Sequence, residues 1–132
     1  MRHLTLLVAA SAATLALAAP AQAQALSGEE LRGQTVDITF ADGTRNSVFF
    51  GSTGMATVSN NTGQSANANW FVQGDQLCMR AGSANECWNY SNRFAAGQAV
   101  RLTSTCDQNA VWTPRNVNAP RQMVAPQAGE RG

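Results

Sequence analysis

The chain has 132 residues, a formal net charge of +1 and 13% charged residues; all nine basic residues are arginine, and His3 is the single histidine. Balanced charge supplies no field to draw the protein onto nucleic acid or anionic lipid, and a chain this short holds one domain. Once the leader that carries His3 is set aside, no histidine or lysine remains, which removes the Ser–His–Asp triad, the Cys–His dyad, the Ser–Lys pair, the Schiff-base lysine and the histidine metal cage.

The leader comes first in chain order. Met1 and Arg2 precede an apolar run over residues 4–19 rich in Leu, Ala and Val; Pro20 ends it, and Ala21-Gln22-Ala23 places small residues where a signal peptidase reads. This is a three-part secretory signal, with cleavage expected after Ala23 and, as the alternative, after Ala25. The run falls short of the ~20 residues of a spanning helix. The expected product is exported to the periplasm or beyond, without stable membrane insertion.

Ser27-Gly28-Glu29-Glu30 has the spacing of a capping box and predicts one short helical turn, stopped at Gly33. Residues 35–40, Thr-Val-Asp-Ile-Thr-Phe, alternate polar and apolar with period two, the pattern of a half-buried strand. Asp42-Gly43 predicts a hairpin turn, since glycine accepts the positive φ that such turns need. Further strands are predicted at residues 47–50, 55–59, 69–73, 77–80, 87–90, 100–103 and 110–113, separated by Gly, Asn and Asp turns. Short strands about ten residues apart predict an all-β fold: a small antiparallel up-and-down barrel or, alternatively, a β-sandwich. From Pro114 the texture changes, with Pro114, Pro120 and Pro126 among Arg, Asn, Ala and Gln. The expected organisation is a signal over residues 1–23, a β domain over 24–113 and a disordered tail over 114–132.

Three cysteines remain after the leader: Cys78, Cys87 and Cys106. In an oxidising compartment these read as a disulfide and an odd thiol. Cys78 and Cys87 lie on consecutive predicted strands, which favours their pairing; a bridge from Cys106 to one of them is the rival. The unpaired thiol is expected to be buried, as free cysteines usually are. Eight carboxylates are left for acid–base work, and no motif pairs any two of them. No phosphate loop, dinucleotide fingerprint or complete calcium loop is present, so no cofactor and no metal is expected.

The large aromatics Trp70, Trp88, Tyr90 and Trp112 are candidates to line a pocket or, as the plainer reading, to fill the core. Recognition is expected from loops on a rigid frame: residues 60–68, with Asn60, Asn61, Gln64 and Asn67, and residues 82–85, with Ser83 and Asn85.

The segment Trp70-Phe71-Val72-Gln73-Gly74-Asp75-Gln76-Leu77-Cys78, followed by Glu86-Cys87-Trp88, resembles a loose group of small exported proteins of alphaproteobacteria. The likeness extends to Leu26-Ser27-Gly28-Glu29-Glu30-Leu31 and Asp42-Gly43-Thr44. It implies a lipocalin-like or barrel domain with a Cys78–Cys87 bridge and supplies no catalytic residues. A looser likeness joins the chain to periplasmic barrel inhibitors of proteases and lysozymes. The functional expectation is an exported, non-catalytic binding module with a periplasmic protein as partner, enzyme inhibition being its most concrete form. Carriage of a small apolar ligand inside the barrel is the alternative, and a carboxylate-dependent hydrolase the distant one.

Overall fold

A computed structural model describes residues 26–120, so the signal segment and its cleavage sites lie outside the described residues. After a 3-10 turn at Glu29–Leu31 come eight strands: β1 Gln34–Phe40, β2 Arg45–Phe50, β3 Met55–Asn60, β4 Ser65–Gln73, β5 Gln76–Ala81, β6 Ala84–Asn89, β7 Val100–Thr103 and β8 Asn109–Pro114. Every pairing is antiparallel, in the order β6-β5-β4-β3-β2-β1-β8-β7. The sheet curls until its two edges meet, forming the expected all-β, nearly closed barrel. At the meeting point a single bridge, Trp88 to Ser104, joins β6 to β7.

Strand alternation decides what faces inward. Val36 and Ile38 of β1, Val48 and Phe50 of β2, Trp70 of β4, Leu77 of β5, Trp88 of β6, Leu102 of β7 and Ala110 and Trp112 of β8 are all buried in one cluster. Ring packs on ring through its centre. Trp88 meets Trp112 edge-on at 5.4 Å, Phe50 meets Trp70 edge-on at 5.2 Å, and Phe94 stacks on Trp112 at 5.9 Å and on Tyr90 at 5.5 Å. Edge-on and stacked contacts at these separations suit the ring quadrupoles. A barrel of eight strands is just wide enough for side chains to fill it.

The two ends differ. At one, the hairpin turns β1–β2, β3–β4, β5–β6 and β7–β8 gather; this is the turn end. The other is plugged by the 3-10 turn, with Leu31 fully buried. The plug approaches the core so closely that a Cβ on Gly28 would stand 2.8 Å from the Trp70 ring, and Gly28 also holds a φ of 75° that only glycine adopts freely. Trp70 is fixed in turn, its Nε1–H donating to the Gly51 carbonyl at 2.9 Å.

Cys78 and Cys87 stand directly opposite in the β5–β6 register and are disulfide-bonded. Closing so short a loop contributes about 2.5–3 kcal/mol in the chain-entropy account. The rival pairing through Cys106 is not formed. Cys106 is free and, against expectation, exposed. It sits in the β7–β8 turn, where the Ser104 hydroxyl accepts from the Cys106 and Gln108 amides and Asp107 takes a φ of 58°, so the turn projects the thiol to solvent.

Three further sequence expectations are corrected. No capping box forms: Gly28 is the N-cap with no side-chain bond, because Glu30 turns into the core, where better partners await it. The predicted loop over residues 60–68 is a tight turn, since β4 already begins at Ser65. Its first four residues, Ser-Ala-Asn-Ala, are too small and polar to announce a strand and are held there by pairing with β3. The β domain does not stop at Thr113. Pro114 is buried and ends β8, Arg115 donates to both carboxylate oxygens of Asp37 at 2.8 and 3.0 Å, and Val117 packs on the core. The expected tail beyond Pro120 lies outside the described residues.

Candidate functional site

The turn end is built from local bonds. The Asn60 carboxamide oxygen accepts from the Thr62 amide at 3.1 Å, the Thr62 hydroxyl at 2.8 Å and the Gln64 amide at 2.9 Å, while its own NH2 donates to the Gln64 side chain at 3.1 Å. Asn is suited to this because a short side-chain carbonyl mimics a backbone turn acceptor. Across the β2–β3 ladder, Asn46 stands opposite Asn60, and alternation puts both on the inward side beyond the last core residues. The result is an open basin of about 600 Å³ lined by Asn46, Val58, Asn60, Gln64, Ser65 and Ala66. Three carboxamides face it, groups that both donate and accept.

The residues singled out for binding divide. Asn60, Asn61, Gln64 and Ser83 gather at the turn end, Asn60 and Gln64 in the basin itself. Asn67 instead lies on the outer wall of β4, accepting from the Thr57 hydroxyl at 3.4 Å, and Asn85 lies on the outer wall of β6, its NH2 3.9 Å from the Cys87 sulfur. The candidate pocket aromatics lie in the core and not around this basin: Trp70, Trp88, Tyr90 and Trp112 are 5%, 1%, 1% and 0% exposed, with Trp70 and Tyr90 each showing only an edge to a separate surface cleft. The indole N–H groups of Trp88 and Trp112 have no hydrogen-bond acceptor.

Phe94, sandwiched between Tyr90 and Trp112, escapes the sequence reading because it stands in a polar connection with no periodicity around it. Its one signal is a lone large ring among Asn, Arg and Ala.

A second polar cluster lies at the plugged end. The Glu30 carboxylate, 1% exposed, accepts from the Tyr90 hydroxyl and from the Phe94 amide at 3.2 Å, with Arg93 3.8 Å away. Burial, and then the neighbouring Glu30, push the Tyr90 phenol well above its ordinary value. Asn118 closes the cluster from outside: its NH2 donates to the Glu29 and Arg32 carbonyls at 2.9 and 2.7 Å, and its oxygen accepts from Gln34 at 2.8 Å. Glu30, the Tyr90 hydroxyl and the Asn118 carboxamide are all taken up in holding the plug, while the Arg93 side chain stays partly exposed at its edge.

Two further titratable groups are also engaged. The Arg115 hydrogen bonds hold the Asp37 carboxyl below its usual range on the outer wall. The Cys106 thiol is pushed up by hydrogen bonding to Glu86, which disfavours the nucleophilic thiolate. Among the described residues no three His, Cys, Asp or Glu side chains cluster to hold a metal ion, and no helix is long and apolar enough to cross a membrane. No family model, no curated protein and no solved structure matches the chain.

Proposed function

We propose that the protein is an exported, non-catalytic binding module that engages a protein partner through the turn end of its barrel. The carrying observation is the carboxamide-lined basin of Asn46, Asn60 and Gln64, mounted on a barrel whose interior is already filled by aromatic rings. Recognition on such a frame falls to its turns, where side chains vary without disturbing the core. Export is supported by the leader pattern and by a disulfide, which persists in oxidising compartments. The ring-on-ring interior speaks against carriage of an apolar ligand, and the engagement of Glu30 and Asp37 in structural bonds speaks against a carboxylate pair for hydrolysis.

The test is affinity capture from envelope extract with wild-type protein, with Asn61→Arg/Ser83→Arg at the turn end, and with Ser52→Arg at the plugged end as the control. A partner retained by wild type and Ser52→Arg but lost by the double variant supports the reading. Capture that survives the double variant, or capture of nothing at physiological salt, overturns it.

A further inference from the structure

The barrel is open along one stretch of its wall, and the backbone edges there face each other unpaired. In the β7–β8 hairpin the Ser104 amide donates to the Gln108 carbonyl at 2.9 Å. By antiparallel alternation the even-numbered residues of β7 therefore bond to β8, and the backbone groups of Arg101 and Thr103 point the other way, toward β6. On β6 the Tyr90 amide donates to the Asp75 carbonyl at 2.6 Å, so the backbone groups of Cys87 and Asn89 point toward β7. Near the turn end the two edges close: the Thr105 amide meets the Cys87 carbonyl at 2.8 Å, and the Cys87 amide meets the Thr105 hydroxyl at 3.1 Å. Past the Trp88–Ser104 bridge they part. There the Thr103 amide reaches the side chain of Asn89, at 2.7 Å, where the next ladder bond would fall.

Beyond that substitution the seam widens into a cleft of about 160 Å³ between the end of β6 and the start of β7. Tyr90 and Phe94 form part of its lining, and so do Asn89, Asn92, Arg93 and Arg101; no carboxylate lines it. Arg93 is only partly committed. One of its nitrogens donates to the Asn118 carbonyl at 2.9 Å, Glu30 is 3.8 Å from the other, and its side chain is 35% exposed. Arg101 is exposed.

We propose that this seam is a binding site for the carboxylate end of an extended peptide. The backbone edge of β7 offers the peptide main chain the ladder bonds that β6 leaves unmade, as in strand addition, and the two arginines receive its terminal carboxylate. A cleft of this size takes a terminal residue and not a whole segment. The absence of any lining carboxylate favours an anionic over a cationic end. The site is separate from the basin of the turn end, and its test needs only the purified protein, so its failure leaves the proposed function standing.

The test is a titration of the disulfide-bonded protein with acetyl-trialanine bearing a free carboxylate, followed through backbone amide resonances. Saturable movement is expected at Asn89, Arg101 and Thr103. The C-terminally amidated peptide and the Arg101→Gln variant should each bind on the order of tenfold more weakly, the loss of a charge-assisted hydrogen bond; unchanged resonances elsewhere in the variant verify its fold. Equal binding of acid and amide, equal binding by Arg101→Gln, or no saturable movement at the seam overturns the proposal. Inorganic phosphate binding as tightly as the peptide at the same resonances also overturns it, since the main chain then contributes nothing.

Discussion

The same eight strands run between both ends of this barrel, yet the ends are held by different kinds of bond. At the plugged end the hydrogen bonds join residues far apart in sequence: Tyr90 to Glu30, Phe94 to Glu30, and Asn118 to Glu29, Arg32 and Gln34. Within the turns of the other end the side-chain bonds reach two to four residues: Asp42 to Thr44, Asn60 to Thr62 and Gln64, Ser104 to Cys106 and Gln108; at the seam the Cys87 amide reaches farther, to the Thr105 hydroxyl. A long-range bond ties the chain's topology together, and losing it exposes a buried group. A local bond shapes only its own turn. One end is therefore held by the long-range topology of the fold, and the other is shaped turn by turn.

The largest effect that sharpens this contrast is expected from Glu30→Ala. It orphans the Tyr90 hydroxyl and the Phe94 amide inside the core and should cost about 3 kcal/mol, since each buried donor left unmet costs about 1–3 kcal/mol. Thermal unfolding should show a melting point lower by roughly 12–24 °C, at the 4–8 °C per kcal/mol usual for a domain of this size. Next comes Asn118→Ala, which frees two carbonyls of the plug and should cost about 1–2 kcal/mol. Hydrogen exchange should then quicken at Leu31 and Arg32 and stay unchanged at Gln64.

Alkaline pH gives a smaller handle on the same end. An unfolded tyrosine ionises near 10, while the buried Tyr90 phenol, beside Glu30, ionises higher. Stability from this group is complete below pH 10 and falls above it, by up to about 1.4 kcal/mol per pH unit until the folded phenol itself ionises. Tyr90 is the only tyrosine, so phenolate absorbance should appear together with unfolding and not before it. The smallest effect is expected from Asn60→Ala at the turn end, under about 1 kcal/mol by chemical denaturation, since its bonds are local and solvent reaches the groups it leaves. A cost at Asn60 equal to that at Glu30 would break the comparison.

Much of the barrel is legible in the residue pattern alone. Residues 35–40 alternate strictly because β1 has one dry face and one wet face, and the strand observed is Gln34–Phe40. The seventh strand has the bounds its pattern predicts, Val100–Thr103, and Cys78 and Cys87, nine residues apart on consecutive strands, are the partners their placement favours. The candidate site is half legible. Asn60 and Gln64 stand out as turn residues, and they line the basin. Asn46 gives no signal, because one asparagine at the head of a strand looks like any other polar position. Glu30 misleads for a related reason: its spacing from Ser27 fits a local cap, and the stronger partners, Tyr90 and the Phe94 amide, are about sixty residues away.

What the sequence determined by itself is therefore local: the strand period, the turn chemistry at Asp42-Gly43 and Gly74-Asp75, the cysteine pair, and the catalytic constellations that lie beyond reach of a chain with no lysine and no histidine past His3. These follow from bonds and patterns within a few residues. Tertiary structure alone decided where the sheet closes and where it stays open, that Glu30 and Phe94 belong inside, that Cys106 faces solvent, and that residues 114–118 strap the plug. Each of those outcomes depends on which distant groups meet once the strands have curled, and spacing along the chain carries no record of that meeting.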